Sequence, residues 1–126
     1  MVKPSPSLNV FNEPLVSCSE EPTTGFFRNG CCDTCTQDVG SHTVCVVVTA
    51  EFLAYSLEQG NDLTTPNQDM DFPGLRPGDQ WCLCAPRWLD AYRAGCAPKV
   101  RLQSTHLAAT EIIEMNILRQ FAMDVH

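Results

Sequence analysis

The sequence has little positive charge. Only 8 of its 126 residues are Lys or Arg, against 15 Asp or Glu, for a net charge of −7. The basic residues, Lys3, Arg28, Arg76, Arg87, Arg93, Lys99, Arg101 and Arg119, never stand side by side. Phosphate binding needs basic patches, so no nucleic-acid partner is expected, and no anionic membrane surface either. Long apolar runs are missing too. The densest stretch, 44–48, falls far short of the ~18 residues of a membrane span. Lys3 is followed by Pro4, Ser5, Pro6 and Ser7 rather than by the apolar stretch of a secretion signal. The expectation is a soluble cytoplasmic protein with reduced cysteines. Glycine-rich phosphate loops, G-x-S-x-G, H-E-x-x-H and internal repeats are also absent, which removes the reactions those motifs announce.

What is present suggests an α+β chain: a small sheet packed with a few helices, long loop-rich segments, a flexible N-terminus over 1–7 and one domain over 8–126. Residues 8–11 alternate apolar and polar, as a short strand would. Residues 12–41 form a loop-rich arm. The stretch 43–49 is β-branched and apolar on both faces, as a central strand requires. Thr49 can cap a helix over 50–59 with Ala50, Leu53, Ala54 and Leu57 on one face, and Gly60 can close it. Residues 61–80 form a second long loop with ordered turns. A strand over 80–84, a helix over 86–94 opened by Pro86, a strand over 99–103, a short helix near 106–110 capped by Thr105 and a last helix over 115–122 complete the order.

Eight cysteines (Cys18, Cys31, Cys32, Cys35, Cys45, Cys82, Cys84 and Cys96) are the unusual feature. If they were oxidised, about 105 pairings would be open, and sequence does not choose among them. Cys32 and Cys35 form a C-x-x-C, and Cys82 and Cys84 form a C-x-C whose side chains share one strand face. Two thiolate pairs could hold a structural zinc. The blander alternative is that Cys82 and Cys84 are buried as small apolar residues. A second reading is nucleophilic. A thiol of Cys82 or Cys84, activated by His42 or His106 and oriented by Asp38, is workable chemistry. Asn67, Asp69 and Asp71 mimic the opening of a calcium loop, but Phe72 and Gly78 stand where Gly and Glu are needed. Asp62 suits an Asx turn.

Longer strings carry more. Residues 24–32 (Thr-Gly-Phe-Phe-Arg-Asn-Gly-Cys-Cys), 38–45 (Asp-Val-Gly-Ser-His-Thr-Val-Cys), Gly60-Asn61-Asp62-Leu63, Phe72-Pro73-Gly74-Leu75, 77–84 (Pro-Gly-Asp-Gln-Trp-Cys-Leu-Cys), Arg87-Trp88 and Thr105-His106 closely resemble the domain of unknown function 2237 family, over roughly residues 9–122. The resemblance implies a single α+β domain and brings no assigned activity. Its pattern includes Arg28, Asp38, His42, Asp62, Trp81, Cys82, Cys84, Arg87, Trp88 and His106. The pattern shows Gly more often than Cys at position 35. This leaves Cys32, Cys82, Cys84, His42 and His106 as the metal candidates.

The leading expectation is therefore a polar pocket between the two long loops, with Asp38, His42, Asp62, Cys82, Arg87 and His106 near it. Arg28, Asp62, Arg87 and Trp88 are its candidate ligand-binding residues. A small-molecule ligand or a homodimer partner would suit such a domain. A structural zinc domain and a non-catalytic interaction module, with Phe26, Phe27 or Phe72 in an exposed apolar patch, are the alternatives.

Overall fold

The computed structural model describes residues 7–20, 24, 25, 29–35, 37, 38, 40–70 and 72–124. An antiparallel sheet of three strands has the order β2-β1-β3. Its strands are β1 (His42–Val47), β2 (Gln80–Cys84) and β3 (Lys99–Val100). The helices are α1 (Ala50–Glu58), α2 (Ala85–Arg93) and α3 (Met115–Gln120), so the chain is α+β as its pattern implies. No described helix is long and apolar enough to cross a membrane.

β1 is central because it can be buried on both sides: Thr43, Val44, Cys45 and Val46 are all buried. Side chains alternate across a strand. Val44 and Val46 face the main apolar core of Phe52, Leu83, Trp88, Leu102, Ile113 and Leu118. Cys45 faces the other way, into a separate buried cluster with Cys18, Cys32 and Cys82. The two faces of one small sheet thus carry two chemically different cores.

α1 starts at Thr49, whose Oγ1 accepts a hydrogen bond from the Phe52 N–H at 3.1 Å. Gly60 follows the helix at φ 84°, a left-handed position that suits glycine. The buried face of α1 is Phe52, Leu53 and Ser56, rather than Ala50, Leu53, Ala54 and Leu57. Phe52 removes far more apolar surface from water than either alanine, so it sets the rotation. Leu57 is left half-exposed.

Three local expectations are corrected. Residues 8–11 form no strand: Leu8 and Asn9 make only isolated bridges, to Pro14 and His106. β3 stops at Val100, and 102–104 turn into a 3₁₀ segment. The short helix (Leu107–Glu111) is capped by His106, not Thr105; the His106 Nδ1 accepts the Ala108 N–H at 2.9 Å. The expectation of a flexible 1–7 falls, but for Ser7, outside the described residues.

The C-terminal segment closes the sheet. Val100 donates to Phe121 O and accepts from Met123 N, each at 2.9 Å, which covers the outer edge of β3. The Asp124 carboxylate accepts the Leu102 and Gln103 N–H groups at 2.8 and 2.9 Å. Losing such a cap costs about 1 kcal/mol. Asp124→Ala is expected to lower the unfolding free energy by that amount, a drop in urea midpoint of about 0.5 M at a slope of about 2 kcal/mol/M, without changing the slope; an unchanged midpoint would show that the cap carries no stability.

Candidate functional site

β2 runs into α2 without a loop. Cys84 is the last residue of β2 and the N-cap of α2, and its side chain makes no capping bond. Pro86 in the first turn fixes the helical φ there. Across the sheet, Cys84 is the register partner of His42, and a register irregularity separates His42 from Val44. The result brings the Cys84 Sγ to 3.2 Å from the His42 Nε2. The other ring nitrogen, Nδ1, lies 2.6 Å from the Asp38 Oδ1. Asp38 is held in turn: its Oδ2 accepts the His42 backbone N–H at 2.9 Å and the Thr34 hydroxyl at 3.0 Å.

Thiol, imidazole and carboxylate therefore form a line. The Asp38 carboxylate is fully shielded, whereas 38% of the His42 side chain remains exposed. A dry anion orients a ring that still meets solvent. The turn before β1 makes this approach possible. Ser41 sits at φ 51°, and its carbonyl accepts both the Thr43 and Ala85 N–H groups, at 2.8 and 2.9 Å. Gly40 passes so close that an added Cβ would lie 2.9 Å from both the Cys84 Sγ and the His42 Cε1.

The hydrogen bond to Cys84 raises the His42 pKa from 6.5 to about 9; burial opposes the rise, and the bond to Asp38 adds to it. At neutral pH the ring is an imidazolium that donates from both nitrogens. The folded state then binds this proton more tightly than the unfolded chain. Its contribution to stability is complete below pH 6.5 and disappears as pH rises through about 9. Denaturation midpoints measured between pH 6 and 10 are expected to show that decline in the wild type. In Cys84→Ala, which removes the largest cause, the decline should shrink; an equal decline in both would assign it to other groups.

On the same sheet face lies the sulfur cluster. Cys18 is bonded to Cys45 and Cys32 to Cys82, closing spans of 27 and 50 residues. All four residues are at most 2% exposed. The sulfurs of Cys18, Cys32 and Cys82 lie within 4.8 Å of one another. The expectation of reduced cysteines is thus corrected for these four. Cys45 and Cys82 are cross-strand partners, so the sheet presents one sulfur from each disulfide, and the loop-rich arm supplies the others. Neither Cys18 nor Cys45 is a site candidate from sequence, because pairing over such distances leaves no local signal. Cys31, Cys35, Cys84 and Cys96 lie outside both bonds.

The other expected site residues are dispersed. Cys82 has no thiol to offer as a nucleophile, being bonded to Cys32. The five metal candidates do not converge: Cys32 and Cys82 are bonded to each other, Cys84 meets His42, and His106 spends Nδ1 on its cap. Burial lowers the His106 pKa, so this ring is neutral at physiological pH. Trp88 is fully buried, donates to Pro98 O at 3.1 Å and stacks on Tyr92; it is a core residue rather than a ligand platform.

Asp62 makes the expected Asx turn, accepting from Thr64 N at 2.9 Å. Hydrogen bonds from Thr65 and then Thr64 lower its pKa to about 2. It lines a cleft of about 540 Å³ with Asn67, Asp69 and Phe72. Arg87 lines a different cleft of about 400 Å³, with Tyr55, Ser56, Gln59 and Asp90. Asp62 and Arg87 thus line different clefts, and His42 lines neither of them. Phe72 is half-buried against Trp81, ring centroids 5.2 Å apart, rather than part of an open apolar patch. Arg28, Phe26 and Phe27 lie outside the described residues.

No curated protein matches the chain. A protein-family model matches residues 8–122, nearly the whole length, and spans the complete Asp38–His42–Cys84 line and both disulfides. The chain belongs to the family described as "Uncharacterized protein conserved in bacteria (DUF2237)".

Proposed function

We propose that the protein is a thiol-nucleophile enzyme acting on small acyl substrates, with Cys84 as nucleophile, His42 as its proton partner and Asp38 as the group that orients His42. The observation that carries this reading is the continuous contact from Cys84 Sγ through both ring nitrogens of His42 to Asp38. A nucleophile, a base within reach and a third group fixing the base form the arrangement that activates thiols.

The position of Cys84 adds to it. A helix N-terminus favours negative charge, and its first-turn N–H groups lack intrahelical partners. Of these, Ala85 N is taken by Ser41 O, and Pro86 has none. The Arg87 N–H remains to face charge building on a substrate oxygen, whereas the buried Trp88 N–H is committed to the first helical bond, to Cys84 O. In the reaction the sulfur adds to the acyl carbon and His42 holds the thiol proton. As the carbon–leaving-group bond breaks, His42 Nε2–H gives that proton to the leaving group. Water then splits the thioester, releasing a carboxylic acid and restoring the thiol.

A cytoplasmic location and a small-molecule partner belong to the same proposal. The net charge of −7 argues against nucleic acid. The test is incubation with p-nitrophenyl acetate. A burst of nitrophenolate with an acetyl group on Cys84 by mass spectrometry is expected, and its absence with acetylation spread over lysines would remove the proposal.

A further inference from the structure

The four-sulfur cluster lies apart from the His42–Cys84 contact and plays no part in that chemistry. Its sulfurs are not arranged as two unrelated crosslinks. Three of them, from both disulfides, fall within 4.8 Å of one another. The fourth, Cys45, is bonded to Cys18 and stands opposite Cys82 in the register. All four point into one buried volume behind the sheet.

We infer that the reduced form of this cluster, Cys18, Cys32, Cys45 and Cys82, is a tetrathiolate site for a soft divalent cation of the zinc class. A tetrahedral zinc with bonds of about 2.3 Å needs sulfurs about 3.8 Å apart. Three of the sulfurs already lie within 4.8 Å of one another, near that spacing, and Cys45, bonded to Cys18 but outside that set, swings in as its bond opens. Four thiolates without competing carboxylates or imidazoles suit zinc over magnesium or calcium.

The surrounding backbone is already fixed from outside the cluster. Cys82 N–H donates to the Thr24 hydroxyl at 2.8 Å and Cys45 N–H to the Thr105 hydroxyl at 3.2 Å. Arg101 donates through its backbone N–H to Cys45 O, and its guanidinium bonds Gln80, which in turn donates to Cys18 O. Ligand-bearing segments tied in this way hold their positions while their sulfurs change partners. The guanidinium also supplies a nearby positive charge for a centre of net charge −2.

The conversion balances with a dithiol reductant. Two equivalents of dithiol each close to a cyclic disulfide, delivering four electrons and four protons to the two protein disulfides. The four resulting thiols bind one zinc ion and release four protons. In a compartment that keeps thiols reduced, the metal form is then the resident one, and oxidation expels the ion.

The experiment uses the intact chain, oxidised or reduced anaerobically with dithiothreitol, exposed to zinc chloride and desalted. The expected result is about one tightly held zinc per chain after reduction and none after oxidation. Cobalt(II) in place of zinc should give the intense thiolate charge-transfer and tetrahedral ligand-field bands of an all-sulfur site. Cys45→Ser should lose the zinc, while Cys84→Ala and His42→Ala should keep it. Those two variants disable the proposed acyl chemistry, so either proposal can fail without the other. Should Cys45→Ser not fold, the cobalt spectrum of the wild type still reports the ligand set. No zinc uptake on reduction, equal uptake by the oxidised protein, an octahedral cobalt spectrum, or loss of zinc in Cys84→Ala would each overturn the inference.

Discussion

Reduction of the metal-free protein is expected to lower its melting temperature by roughly 15–30 °C. The two disulfides close spans of 27 and 50 residues. Loop-closure entropy assigns about 3.5 and about 4 kcal/mol to spans of that size. The spans overlap between residues 32 and 45, so the second closure restricts a chain already restricted by the first. The combined effect is therefore below the sum, on the order of 5–7 kcal/mol. Domains of this size hold only about 5–15 kcal/mol in all, so such a loss leaves little or nothing at 37 °C. Circular-dichroism melts in chelator, with and without a phosphine reductant, measure the difference. The double variant Cys32→Ala/Cys82→Ala should fall further than Cys18→Ala/Cys45→Ala, because its span is longer. Melting that ignores the reductant would show that these sulfurs are not bonded in solution. Zinc added to the reduced protein should recover much of the loss, since ligand binding to the folded state alone raises its stability.

The second large effect concerns Cys84. Iodoacetamide is expected to modify Cys84 faster than Cys35 or Cys96 at pH 7. Cys96 is a natural internal control: burial, with Glu51 and Glu58 nearby, raises its pKa and keeps it protonated. An ordinary thiol is only a few per cent ionised at neutral pH, so taking away the imidazole partner should slow Cys84 by on the order of 10-fold. His42→Ala should show the full decrease. Asp38→Asn keeps the shape but offers Nδ1 a weaker partner, so it should slow the reaction by less and move its pH profile, a readout that simple loss of stability would not move. Gly40→Ala should act in the same direction, because its new methyl cannot fit between Sγ and Cε1. Acylation by p-nitrophenyl acetate should fall further, by about 10²–10⁴-fold in His42→Ala, since a group positioned for proton transfer contributes that much to catalysis. Equal alkylation rates across the wild type and these variants would reduce the thiol–imidazole contact to a structural hydrogen bond.

The sequence made some of this legible and hid the rest for physical reasons. The β-branched run at 43–48 announces a central strand because only burial on both faces suits it. Thr49 and Gly60 mark the ends of α1 by local chemistry alone. Asp38 and His42 are four residues apart, near enough for their contact to be anticipated. The choice of Cys84 over Cys82 was not readable, since both side chains share a strand face and differ only in what stands opposite. That depends on the β1–β2 register and on the irregularity after His42. The disulfide pairing was hidden for the same reason: it is a long-range outcome of how the arm folds over the sheet. His106 looked like a base in sequence, yet its place at the start of a 3₁₀ segment commits one nitrogen to the backbone.

The two crosslinks interleave along the chain, in the order 18, 32, 45, 82. A single proteolytic cut anywhere between residues 18 and 82 therefore leaves the two fragments joined by at least one covalent bridge, and a cut between 32 and 45 leaves them joined by two. About half of the chain, including the long loop before β2 with its exposed turns, can be nicked without any piece departing. Cleavage beyond Cys82 has no such safeguard. Whatever follows a cut there, including α3 and the segment that closes the sheet edge, stays only as long as non-covalent packing holds it.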